Sequence, residues 1–203
     1  CILLFVFCFM IKQDAYNQNF KHSQLRYARV KKTYAEKFDT LRAELSEKGI
    51  HTRNFHIFIR ALKLEEILEV WVKNNADDKY KLFKSYPFCM NSGELGPKRK
   101  EGDMQIPEGF YFIRHFNPVS TFYLSLGINY PNKSDRILGD PHRPGSAIYL
   151  HGACATIGCI PITDDKIKEL YVLAVEAKNN GQERIPVHIF PAHMNSKHFS
   201  VIN

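Results

Sequence analysis

The feature that most narrows the fold is a change of rhythm at residue 55. From there the apolar residues come in short runs rich in β-branched and aromatic side chains, at 55–62, 67–73, 81–90, 110–116, 122–130, 147–150 and 185–190. Runs of that length and composition suit half-buried strands and are too short for a set of packed helices. Turn-forming pairs separate them: Asn74-Asn75, Ser92-Gly93, Gly96-Pro97, Pro131-Asn132 and Pro144-Gly145. Helical spacing shows in two places only. Over 22–48, Leu25, Val30, Tyr34, Phe38, Leu41 and Leu45 recur among Lys, Arg and Glu, and Gly49 follows as a C-cap. Over 165–178, Ile167, Leu170, Tyr171, Ala174 and Ala177 recur, with Thr163 or Asp164 as cap and Gly181 beyond the end. The expectation is an α+β fold: a β-rich domain with an N-terminal helix and a second helix late in the chain.

The two ends read differently. Residues 1–11 are almost wholly apolar. A bilayer span takes roughly 20 apolar residues, so this run is too short; it suits the core of a secretory leader of about 7–15. A buried strand is the competing reading. The expected division is a truncated leader at 1–15, a helical segment at 16–50, the β-rich domain at 51–192 and a tail at 193–203. Export would put the protein in an oxidising compartment, with membrane contact only through an uncleaved leader. Of the five cysteines, Cys1 and Cys8 would leave with it. Cys89, Cys154 and Cys159 remain, an odd number, and a leftover thiol in an exported protein is a reactive candidate.

The stretch that carries chemistry is His151-Gly-Ala-Cys-Ala-Thr-Ile-Gly-Cys159-Ile-Pro-Ile-Thr-Asp164. It leaves a strand and enters a helix, a place where a rigid scaffold presents reactive groups. A cysteine nucleophile acts as its thiolate, and a neighbouring imidazole takes its proton. A loop that folds back brings His151 to Cys159. Gly152 and Gly158 permit a tight turn, and the N–H groups of Gly158 and Cys159 are candidate oxyanion donors. Two bland readings compete. His151, Cys154 and Cys159 with a fourth histidine form a zinc set, although the spacing matches no common pattern. Buried structural cysteines are common too.

These residues resemble the catalytic signature of the L,D-transpeptidase (YkuD-type) family, in its YafK-like branch. There a His-Gly pair precedes Ser/Thr-x-Gly-Cys, as do His151-Gly152 and Thr156-Ile157-Gly158-Cys159 here. Two further blocks agree and come in the family's order. One runs from Ser92-Gly93 through Asp103 to Pro107-Glu-Gly-Phe-Tyr111. The other is Leu124-Ser-Leu-Gly-Ile-Asn-Tyr-Pro-Asn132 with Asp135-Arg136. The resemblance covers about residues 55–191. It implies a β-rich catalytic domain that needs neither metal nor organic cofactor and acts on peptidoglycan stem peptides. Cys159 would be the nucleophile, His151 the base, and Gly158 with Cys159 the oxyanion site. It also implies a periplasmic or envelope location, with an amine, a wall-anchored protein or water accepting the acyl group. One departure bears on specificity. Many members carry Arg two residues after the cysteine, where this chain has Pro161; Arg99, Arg114, Arg136 and Arg143 are the candidates to replace it.

Tyr149, Gly152, Thr156, Asn132 and Arg136 are the candidate substrate contacts, each with a packing or turn role as its alternative. His188 and His193 read as surface or satisfied histidines, and Lys98-Arg99-Lys100 as a solvated basic run. The net charge of +7 admits an anionic partner. No helix-turn-helix, zinc-finger or RNP-like pattern accompanies it, which argues against nucleic acid. The alternative to catalysis is a wall-binding module that uses the same groove without turnover.

Overall fold

The computed structural model describes residues 20–194. The expected leader at 1–15 and most of the tail lie outside the described residues. The elements in order are α1 (Ala28–Glu47), β1 (Phe55–Leu62), β2 (Ile67–Asn74), β3 (Lys81–Pro87), β4 (Gly109–Asn117), β5 (Ser125–Ile128), α2 (Lys133–Leu138), β6 (Tyr149–His151), β7 (Ile160–Pro161), α3 (Thr163–Asn179) and β8 (Pro186–Phe190).

The strands form one curled sheet in the order β3-β2-β1-β8-β4-β5-β6-β7. β1, β2 and β3 make an antiparallel meander. β8, last in the chain, slots between β1 and β4, parallel to the first and antiparallel to the second. Alternation decides which side is core. Phe55, Ile57, Ile59 and Ala61 of β1 are fully buried, as are Val187 and Ile189 of β8, whereas the residues between them are only half-covered.

α3 fills the inner face of the curl. Ile167, Leu170, Tyr171, Val172, Leu173, Ala174, Val175 and Ala177 are all buried, so this helix is apolar nearly all round. Full burial of one such aliphatic side chain contributes about 1.5–3 kcal/mol. α1 covers the other side of α3 with Val30, Tyr34, Leu41 and Leu45. Two acids on α3 are buried as well, and each is paired. Glu169 accepts from Tyr86 Oη at 3.0 Å and meets Lys37 at 3.4 Å; Glu176 accepts from Tyr34 Oη at 2.8 Å and meets Lys21 at 2.5 Å. A buried carboxylate without such partners would be strongly destabilising.

Three expectations shift. The helix expected at 22–48 is interrupted: residues 20–25 are helical, Tyr27 is extended at φ −83°, ψ 124°, and α1 starts at Ala28. The break turns Arg29 so that its guanidinium donates to the carbonyls of Ser120 and Tyr123. The far end is as expected. Gly49 has φ +71°, Gly49 N–H donates to Ser46 O, and Ile50 N–H donates to Leu45 O, a Schellman closure. The run at 122–130 holds a strand only over Ser125–Ile128, because Tyr123 has φ +69°. The polar turn at 132–136 is a short helix, α2, closed by a reciprocal Asn132–Asp135 capping box.

The sheet nearly closes on itself. Its edge strands are β3 and β7, and just past β3 Cys89 N–H donates to Pro161 O of β7 at 3.0 Å. Cys89 is also disulfide-bonded to Cys154, with Cα atoms 5.4 Å apart. Both edges therefore meet at the cysteine loop.

Candidate active site

β6 and β7 are parallel neighbours, with Leu150 opposite Ile160 and His151 opposite Pro161. Parallel strands are ordinarily joined by a crossover of a dozen or more residues. Here residues 152–159 alone make the connection, so the loop must turn back sharply and be held. Asp164, in the first turn of α3, accepts from Ala153 N–H at 2.8 Å. Gly152 lies against that carboxylate and against Phe122 O, which would be 2.9 Å from a Cβ. Gly158 has φ +131°, and a Cβ there would meet Gln105 O at 2.9 Å. The Cys89–Cys154 bond fixes the middle of the loop.

The register sets the chemistry. Leu150 and Ile160 are fully buried toward the core. Tyr149, His151, Cys159 and Pro161 therefore share the opposite face, by the two-residue alternation of strands. His151 is 1% exposed. Its Nδ1 hydrogen-bonds Gly152 O, which fixes that nitrogen as the donor. Nε2 then carries the lone pair, and it is buried without a hydrogen-bond partner among the described residues. The Phe122 ring stacks on the imidazole at 4.5 Å and 28°. Burial pushes the His151 pKa down, the Gly152 hydrogen bond pulling the other way.

Cys159 is the free cysteine among the described residues and is half-buried. Burial raises its thiol pKa, opposed by the Tyr149 N–H and by the charge of Lys98. Its Sγ lies 3.7 Å from Ala147 O. Burial thus favours the uncharged form of both side chains. That arrangement suits a general base taking the thiol proton as attack begins.

The other sequence candidates divide. Tyr149 is half-buried beside Cys159. Thr156 works inside the loop: its Oγ1 accepts from Gly158 N–H at 3.1 Å and Cys159 N–H at 2.8 Å, and donates to Cys159 O at 2.7 Å. Gly158 and Cys159 are the expected oxyanion donors. In this state both hydrogens are taken, because the turn brings the hydroxyl under them. Asn132 is spent on the fold: Oδ1 caps α2 and Nδ2 donates to Phe110 O at 3.2 Å. Arg136, Arg99 and Arg114 are exposed, and Arg143 pairs with Glu101 at 2.9 Å. Cys154 is tied to Cys89 and so leaves the proposed zinc set. Lys98, expected in a solvated run, is 4% exposed. Sequence reasoning missed Phe122, for which no sequence signal exists because its contact with His151 is tertiary. It also missed the anchoring role of Asp164, whose place at the head of the helix was visible.

The pattern of the L,D-transpeptidase catalytic domain (YkuD) matches residues 63–189. The chain belongs to that family. Among curated relatives, the Escherichia coli K12 protein named "Putative L,D-transpeptidase YafK" is 36% identical over 140 residues, 68% of this chain and 55% of that protein. The same figures hold for its counterpart in Escherichia coli O157:H7. The chain therefore spans about half the length of the curated relatives it matches. Among solved structures, the helical cell shape determining protein Pgp2 of Campylobacter jejuni superposes with a TM-score of 0.53 at 20% identity, over 75% of this chain and 56% of that one. The L,D-transpeptidase fold thus accounts for the curled sheet with α3 in its hollow. No helix among the described residues is long and apolar enough to cross a membrane.

Proposed function

We propose that this L,D-transpeptidase domain is a cysteine acyltransferase acting on L,D peptide bonds in peptidoglycan stem peptides. The observation that carries the reading is His151: buried, neutral, tautomer set by Gly152 O, with an unpartnered Nε2 on the same sheet face as a free thiol. Cys159 Sγ attacks the carbonyl on the L side of the bond as His151 Nε2 takes the thiol proton. The tetrahedral oxyanion collapses, the C–N bond breaks, and His151 returns the proton to the departing amine. The product is a thioester on Cys159. An amine acceptor then gives a crosslink or an attached wall-anchored protein; water gives trimming or detachment. The Gly158 and Cys159 N–H groups reach the oxyanion by releasing the Thr156 hydroxyl, and one such donor is worth about 3–4 kcal/mol.

The working division is residues 51–192 for catalysis, 16–50 as a packing segment and 1–15 as a leader that directs export to the envelope. A role in cell shape, as the Pgp2 name records for that protein, fits wall remodelling. The test is mass spectrometry of purified peptidoglycan fragments incubated with wild type and Cys159→Ala. New fragment masses from wild type alone are expected, and they identify the acceptor. Identical fragments from both proteins would instead leave a wall-binding module.

A further inference from the structure

Lys98 lies in the long loop between β3 and β4. Its neighbours Arg99 and Lys100 are exposed, yet Lys98 is 4% exposed. Burying an ammonium costs several kcal/mol unless it is paired and hydrogen-bonded. Lys98 Nζ donates to Asp103 Oδ1 at 2.5 Å and to Lys100 O at 2.9 Å. An ammonium has three donors, and these two partners are the ones it has among the described residues. Asp103 is fully engaged: its carboxylate also accepts from the N–H groups of Arg99 at 2.8 Å, Lys100 at 3.0 Å and Gln105 at 3.1 Å. Burial works against the Asp103 carboxylate, but Lys98 and these three N–H groups outweigh it and hold the pKa at about 2. The Asp103 carboxylate therefore stays charged across the neutral range.

Two short routes lead from the pair to the thiol. Lys98 Cε packs 2.9 Å from where a Cβ on Gly145 would stand, and two residues on Ala147 O lies 3.7 Å from Cys159 Sγ. On the other side, Gln105, bonded to Asp103 through its N–H, presses its carbonyl against Gly158. The Lys98 charge is accordingly felt at the Cys159 thiol. The four arginines considered from sequence lie exposed, where solvent screens them.

We propose that Lys98 is the anion-holding residue of the cysteine cleft, its remaining N–H taking a carboxylate of the acyl donor beside Cys159. The proposal rests on Cys159 being the nucleophile. A lysine that merely staples the loop would not prefer anionic reagents at the thiol, which separates the two roles. The test compares modification of Cys159 by iodoacetate and by neutral, nearly isosteric iodoacetamide, followed by mass spectrometry of the Cys159 peptide. N-acetylcysteine is the reference thiol. In wild type the iodoacetate-to-iodoacetamide rate ratio is expected about tenfold above the reference. Lys98→Met should bring it down to the reference, and Lys98→Arg should keep most of it. A wild-type ratio equal to the reference overturns the proposal without any variant, so a Lys98→Met protein that fails to fold does not shield it. An unchanged ratio in folded Lys98→Met overturns it as well. A Cys159 inert to both reagents removes the nucleophile reading, and the proposal with it.

Discussion

Two histidines lie on the sheet face turned away from α3, one on central β8 and one on β6 next to the β7 edge, and both are packed against phenylalanine. His188 sits edge-on to Phe58 and Phe110, each at 4.7 Å. His151 lies under Phe122. Burial lowers the pKa of both. The difference lies in the nitrogens. His151 has Nδ1 committed to Gly152 O, Nε2 left as an open acceptor, and a free thiol in the residue just before the next strand. His188 has aromatic rings around it and, among the described residues, no thiol. A depressed pKa is therefore what aromatic burial does to any imidazole; a fixed tautomer near a free thiol is what the proposed chemistry requires.

The largest effect that would break this comparison comes from substitution at the two sites. His151→Gln should lower kcat/KM for stem-peptide turnover by about 10³-fold, the usual scale for losing a general base, and His188→Gln should stay within about twofold. Equal losses in the two variants would mean that burial, not tautomer and thiol, is the relevant property. A smaller effect would sharpen it. Phe122→Ala should lower kcat about tenfold and move the His151 titration, followed by NMR, back toward 6.5. Phe110→Ala should move only His188. An unmoved His151 titration would show that the strands bury the ring without help from Phe122.

The smallest effect is in the pH dependence. Both histidines titrate below 6.5 when folded, so just beneath that value the unfolded chain binds more protons. Their contribution to stability is complete above 6.5 and is lost as pH falls through the folded values. Cys159 is the opposite case, raised above 9.0, and its contribution fades as pH climbs past that point. Iodoacetamide modification of Cys159 should thus still be accelerating at pH 9.0. A plateau near neutrality would reveal a thiolate–imidazolium pair and overturn the neutral resting state.

Much of the fold is written locally. The alternation in β1 and β8 and the Gly49 helix end each follow from residues within one turn or strand, and they were legible. The insertion of β8 between β1 and β4 was not, because nothing in residues 186–190 states which edges they will join. The site divides in the same way. Cys159, His151 and their glycines form a contiguous motif, legible both as chemistry and as family resemblance. Phe122, Lys98 and the Thr156 hydroxyl act through contacts that exist only after the chain has folded. Lys98 shows the limit best: in a row of three basic residues, only its pairing with Asp103 and the packing of Gly145 reveal that one of them is interior.

The bond between Cys89 and Cys154 has a consequence for how this protein must be made. Among Cys89, Cys154 and Cys159 there are three ways to form one disulfide, and two of them consume the candidate nucleophile. Chain statistics favour the wrong choice. Cys154 is five residues from Cys159 and 65 from Cys89, a difference of about 2 kcal/mol in loop closure. The right pair becomes the near one only when the strand edges of the sheet have met. Oxidation that runs ahead of folding would yield a protein of the same mass and the same single free thiol, now on Cys89 or Cys154, so mapping which of the three cysteines stays free in a refolded sample reports the order of those two events.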